Sequence, residues 1–155
     1  MSSPCFIVAE IGNNHQGSFE LAVKLIEKAK EAGADAVKFQ KRDIKSLMTD
    51  KLYHTPYPGN NSFGKTYGEH REILELSIED FAKLKALCDE MGILFFASIW
   101  DEKSLEDIIK IGVEIVKISS ADLVNIPLLR KTVNYGKIIF FIYWDEYVSR
   151  NQSGS

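Results

Sequence analysis

Ala32-Gly33-Ala34-Asp35-Ala36-Val37-Lys38-Phe39-Gln40 joins a helical pattern to a β-rich run through a single glycine. Upstream of it, Ser18 stands in N-cap position for a helix over 19–32. Within that helix Leu21, Leu25 and Ala29 recur four residues apart, as one apolar face requires. Gly33 supplies the left-handed residue that ends it. The same join recurs where Gly92 leads into 93–98, Gly112 into 113–119 and Gly136 into 137–141, and a run over 6–11 opens the series. Ser77, with Asp80 three residues on, predicts a helix to Met91 that turns Phe81, Leu84 and Cys88 inward. Asp101 predicts the cap of a third helix, with Leu105, Ile108 and Ile109 buried, and Pro127 suits the first turn of a short fourth. The β-rich runs are continuous rather than alternating, as when both sheet faces are covered. Strand and helix in alternation mean parallel strands joined by right-handed crossovers. An α/β fold follows, either an open doubly wound sheet or part of a (β/α)8 barrel.

Composition narrows the possible functions. The 155 residues carry a formal charge of −3, with 45% hydrophobic and 26% charged residues, which fits one globular domain rather than a disordered or membrane-spanning chain. The longest apolar run, 138–144, is too short to cross a bilayer, and no basic stretch precedes an apolar one at the start, so a cytoplasmic protein is expected. Cys5 and Cys88 are expected to be reduced core thiols. Lysine and arginine are scattered, which leaves no nucleic-acid footprint. One segment breaks the rhythm. Residues 41–76 follow the second strand and hold Pro56, Pro58, Gly59, Asn60, Asn61, Gly64 and Gly68. A connection of that length, leaving the active end of a strand, is expected to be a loop that covers substrate.

The charged residues inside apolar strands carry the chemistry. Glu10 follows Phe-Ile-Val-Ala, where a carboxylate must face a cleft or be paired. Lys38 sits between Val37 and Phe39, and Lys117 between Val116 and Ile118. Two such ammonium groups suit a phosphate or carboxylate, an imine-forming lysine, or structural pairing to a carboxylate such as Glu10. Ser98, Ser119 and Ser120 add hydroxyl donors, and together they describe an oxyanion cradle. His15, in Gly12-Asn-Asn-His-Gln-Gly17, has no second histidine at metal spacing and is expected to order its turn. That turn lacks the G-x-G-x-x-G pattern of dinucleotide sites.

Three stretches in order then resemble the sialic acid synthase family: Ile7-Val-Ala-Glu-Ile-Gly-Asn-Asn-His-Gln-Gly17, Ala32-Gly-Ala-Asp-Ala-Val-Lys-Phe-Gln40 and Val116-Lys-Ile-Ser-Ser-Ala-Asp122. Tyr67-Gly-Glu-His-Arg-Glu72 resembles the branch acting on bacterial nonulosonic acids and spore-coat polysaccharide. The resemblance implies a (β/α)8 barrel that condenses phosphoenolpyruvate with an N-acetylated amino sugar such as N-acetylmannosamine, releasing phosphate. It implies phosphoenolpyruvate contacts at Lys38, Ser98, Lys117 and Ser120. It further implies sugar contacts at Glu10, Gln40, Asn60 and Asp122, with Glu10 also moving protons. Ser98 stands for the family's usual threonine, and Asp122 for a glutamate. A divalent metal, manganese or magnesium, is implied to polarise the aldehyde, and a homodimer is implied as the assembly.

The resemblance covers residues 5–137. Beyond it, where the family has a phosphate-binding Ser-Thr-Gly-Met-like turn, Ile139-Phe-Phe-Ile-Tyr-Trp144 follows. The expectation is therefore the first four to five β/α units of a truncated barrel in 1–137, with a divergent, frameshifted or early-stopped tail over 138–155. No metal ligands are expected, since the family's two metal-binding histidines lie on later strands, and inactivity as a fragment is expected with them. The alternatives are a non-catalytic fragment or subunit piece, and a Schiff-base aldolase.

Overall fold

The computed structural model describes residues 5–135 and 138–141. In chain order the elements are β1 (Val8–Gly12), α1 (Phe19–Glu31), β2 (Ala36–Lys41), α2 (Ile44–Leu47), α3 (Asp50–Tyr53), α4 (Tyr67–Ile73), α5 (Ile78–Met91), β3 (Leu94–Ile99), α6 (Glu102–Lys110), β4 (Ile115–Ile118), a 3-10 turn (Ser120–Asp122), α7 (Ile126–Asn134) and β5 (Ile138–Phe141). All neighbouring strands pair in parallel, in the spatial order β1-β2-β3-β4-β5. That order decides between the two architectures. Right-handed crossovers taken always in one direction put every helix on the same face, whereas a doubly wound sheet must reverse its strand order. The sheet is thus an arc of a (β/α) barrel, with helices outside and a concave face within.

Register assigns the faces. Glu10 lies beside Lys38 and Lys38 beside Phe96, while Gln40, Ser98, Lys117 and Phe140 form a row across four strands. The alternate positions face the helices. There Val37, Phe39, Phe95, Ala97, Ile99, Val116 and Ile118 pack against Ile26, Phe81, Leu84, Leu105, Ile108 and Leu128. Phe39 stacks on Phe95 at 5.2 Å and meets the edge of Phe81 at 6.0 Å. No helix among the described residues is long and apolar enough to cross a membrane.

The caps are where sequence places them. The side chains of Ser18, Ser77 and Asp101 accept from the backbone N–H groups of Leu21, Asp80 and Ser104. Gly33 and Gly92 take positive φ where α1 and α5 end. Three expectations change. On α1 the buried seam is Ala22 and Ile26, one residue round from Leu21, because the small Ala22 lets the helix lie close to the sheet; Leu25 and Ala29 still touch the core from its flank. Cys88 is buried but Cys5 is exposed, since it precedes the first paired strand residue. The segment 41–76 is no plain loop: it holds α2, α3 and α4, each begun by a capping Asp43, Thr49 or Thr66. Helices this short show no periodicity, and the surrounding Pro, Gly and Asn conceal them. Gly136 and the tail over 142–155, including its frameshift reading, lie outside the described residues.

Candidate functional site

β2 places Lys38 in mid-strand on the concave face, with 1% of its surface exposed. An ammonium so enclosed needs acceptors. The strand register supplies them on both sides: Lys38 Nζ pairs with Glu10 Oε1 from β1 and donates to Ser98 Oγ from β3 at 3.1 Å. Burial pulls the Lys38 pKa below lysine's ordinary value; Glu10 opposes that pull, and the adjacent Lys117 ammonium adds to it. The Glu10 side chain is 59% exposed, so one partner of the pair faces solvent while the other is enclosed. Phe6, Val8, Glu10, Lys38, Phe96, Lys117 and Phe140 line an open pocket of about 340 Å³. The arrangement is two neighbouring cations in an apolar hollow with one exposed carboxylate beside them, and a buried Ser98 hydroxyl held against Lys38. Chemically it favours an anion, because the second ammonium lacks a described carboxylate of its own among these lining residues.

The remaining sequence-derived positions sit differently. Gln40 lies on the same face, one step beyond Lys38, and its Nε2 would stand 3.4 Å from a Cβ on Gly12. Gly12, at φ +55°, thus leaves room for the amide at the mouth. Ser120 is exposed at the start of the 3-10 turn after β4. Asp122 accepts from Ser119 Oγ at 2.7 Å, so Ser119 is engaged there rather than in the cradle. Asn60 is exposed in a turn closed by Ser62 N–H donating to the Gly59 carbonyl. No described contact joins Asn60, Ser120 or Asp122 to the Lys38 group.

Just beyond the strand ends stand residues whose importance sequence reading missed or only partly saw. His15 is 1% exposed, lies 5.8 Å from the Phe39 ring, and accepts from Gly17 N–H through Nδ1 at 3.1 Å. Burial lowers its pKa to about 4, so the ring is neutral and orders the turn after β1. Gly17 is required beside it, since a Cβ there would lie 2.0 Å from the Ile73 carbonyl oxygen. Arg42, directly after β2, forms a buried ion pair with Glu75. No short-range pattern links residues so far apart, and only the capping Ser77 nearby hints that Glu75 precedes a helix. Asp101, legible as a cap, also reaches a second segment. Its Oδ2 accepts from Asp43 N–H at 2.8 Å and from Ser104 Oγ at 2.7 Å.

A metal implied by the resemblance finds no ligand set here. Among the described residues no three His, Cys, Asp or Glu side chains are grouped to hold an ion. His15 Nδ1 is engaged with Gly17, His70 Nδ1 accepts from Phe63 N–H, and His54 lies beside Asp50. The described residues therefore do not fit a metal site.

Comparison with known proteins places these features in a wider group. The model of the NeuB family matches residues 25–142. The N-acetylneuraminate-9-phosphate synthase of Mus musculus is 43% identical over 134 residues, covering 86% of this chain and 37% of that protein. The N,N'-diacetyllegionaminic acid synthase of Legionella pneumophila is 41% identical over 130 residues, covering 83% of this chain and 36% of that protein. The solved N-acetylneuraminic acid (sialic acid) synthetase of Leptospira borgpetersenii, in complex with citrate, superposes with a TM-score of 0.73 at 33% identity, over 90% of this chain and 44% of that one. The chain thus spans a little over a third of the length of the curated relatives it matches.

Proposed function

The chain belongs to the NeuB family, and from that premise we propose that its concave face binds phosphoenolpyruvate for condensation with an N-acetylated amino sugar. The reading assigns the phosphate and carboxylate of phosphoenolpyruvate to Lys38, Lys117 and Ser98, with Ser120 as a further phosphate donor. It assigns the sugar to Glu10, Gln40, Asn60 and Asp122. The observation that carries it is the enclosed Lys38, held by Glu10 and Ser98 with Lys117 as its neighbour. Lysine has three protons to donate. Two are directed to Glu10 and Ser98, which leaves one, with the Lys117 ammonium, for an incoming anion. An anion also competes for Lys38 with Glu10, whose exposed carboxylate is then free to accept a sugar hydroxyl or a proton. In the condensation C3 of phosphoenolpyruvate bonds to the aldehyde carbon, water completes the balance, and inorganic phosphate leaves. Binding, rather than turnover, is the property proposed for the described residues alone.

Isothermal titration of the chain with phosphoenolpyruvate, N-acetylmannosamine and its 6-phosphate tests the assignment. Each charged hydrogen bond is worth about 1.5–3 kcal/mol. Lys38→Ala and Lys117→Ala should therefore each weaken phosphoenolpyruvate roughly 10- to 100-fold while leaving the sugar nearly unchanged. Equal loss for both ligands would contradict the cradle. The enclosure of Lys38 favours a second reading, since burial that draws its pKa downward gives it the character an imine-forming amine needs. Borohydride treatment with pyruvate should leave Lys38 unmodified if the condensation reading holds. A trapped adduct at Lys38 would replace it with a Schiff-base aldolase.

A further inference from the structure

Segment 43–74 leaves the sheet just after β2 and returns just before α5. Its ends are held together by Arg42 and Glu75, 33 residues apart. Glu75 Oε2 accepts from the Arg42 backbone N–H at 3.1 Å, Oε1 accepts from Arg42 Nε at 2.7 Å, and Nη2 lies 2.6 Å from Oε1. Both side chains are close to fully enclosed, at 8% and 11% exposure. A buried ion pair adds little net stability, because desolvation offsets the attraction; its better use is to fix geometry. A guanidinium is a rigid fork, and here the fork and a backbone amide grip one carboxylate. Glu75 is thereby held by two hydrogen bonds and one close charge contact against the end of β2.

The segment so gripped has an interior of its own. Tyr57 stacks on His70 at 4.3 Å and meets Tyr67 edge-on at 5.5 Å. Phe63 N–H donates to His70 Nδ1 at 3.2 Å, and Tyr53 OH donates to Glu72 at 2.7 Å. Gly68 lies so near Tyr53 that a Cβ would come within 2.2 Å of its ring. A segment packed on itself moves as a body, so its orientation is set where it is attached. Asp43 N–H, held by Asp101, gives a second anchor at the same base.

We propose that the Arg42–Glu75 pair is a positioning clamp, which sets segment 43–74 against the carboxyl end of β2 and so places the amino-sugar contacts that the segment supplies. The sugar in that statement rests on the function proposed above; the clamp itself does not. Neither residue touches substrate: both act through the segment, whose Asn60 is the assigned sugar contact, and beside the strand that carries Lys38 and Gln40.

Two variants test it. Glu75→Gln keeps the shape and removes the charge, and Arg42→Lys keeps the charge and loses the fork. In both, amide hydrogen exchange across 43–74 should accelerate at least tenfold while β2 and β3 keep their protection. N-acetylmannosamine affinity should fall tenfold or more, with phosphoenolpyruvate affinity within twofold of the unaltered chain. Unchanged exchange over 43–74, acceleration spread evenly through the sheet, or equal loss of both ligands would overturn the clamp. Loss of folding in both variants would assign the pair to stability and overturn it too. If the unaltered chain binds neither ligand, the proposed function fails, and the exchange pattern alone decides the clamp.

Discussion

Burial acts on Lys38 and His15 in the same direction, lowering both pKa values, and the surroundings then separate them. Lys38 has a carboxylate and a hydroxyl beside it, so its charge is supported. His15 has a backbone N–H donating to Nδ1, which only the neutral ring can accept. Its folded pKa is about 4 against an ordinary 6.5. Below pH 6.5 the unfolded chain takes up a proton that the folded chain refuses. Stability supported by neutral His15 is thus fully present above 6.5 and is lost as pH falls towards 4, by up to about 3 kcal/mol. Urea denaturation across pH 4–7 should show this acid limb, and His15→Phe should flatten it. An unchanged slope in His15→Phe would show that other groups cause it. At this scale Glu10, Lys38 and Lys117 were legible because a charge inside an apolar strand must have a purpose. Arg42 and Glu75 were not, because each is ordinary in its own neighbourhood and they meet only in space.

Among elements, α6 shows how one side chain serves two segments. Asp101 caps it through Ser104 N–H and also holds Asp43 N–H and Ser104 Oγ, all near a buried carboxylate. Asp101→Ala should therefore cost more than a lost cap. A cap is worth about 1 kcal/mol, and buried groups left unpaired cost about 1–3 kcal/mol, so a total of roughly 2–4 kcal/mol is expected by chemical denaturation. Ser77→Ala, at the exposed cap of α5, should cost only about 1 kcal/mol. Equal losses would mean that the link from Asp101 to Asp43 contributes nothing. Caps were legible because they act over three residues. The short helices α2, α3 and α4 were hidden because no periodic face develops in four to seven residues.

For the whole molecule, the two sheet faces differ in what covers them. The helix-facing side holds the core, with Phe39 fully buried, whereas Phe6, Val8, Leu94, Ile138 and Phe140 are exposed on or beside the concave face. Phe39→Ala should cost about 3–5 kcal/mol, and Phe140→Ala less than about 1 kcal/mol, both read by urea denaturation of the chain. A large loss at Phe140 would show that the concave face is covered in solution. The strands, the longer helices, the glycine stops and the charged strand ends follow from sequence alone, because each rests on neighbours within a few residues. The local pattern left open whether the parallel strands formed a doubly wound sheet or a barrel arc, since both share it, and within the sequence only the family resemblance pointed to the barrel. The order of pairing decided it, by putting every crossover on one side. That same curvature and register brought Glu10, Lys38 and Lys117 from three strands into one hollow, with Ser98 of a fourth against Lys38, a proximity set by strand pairing rather than by any local run of residues.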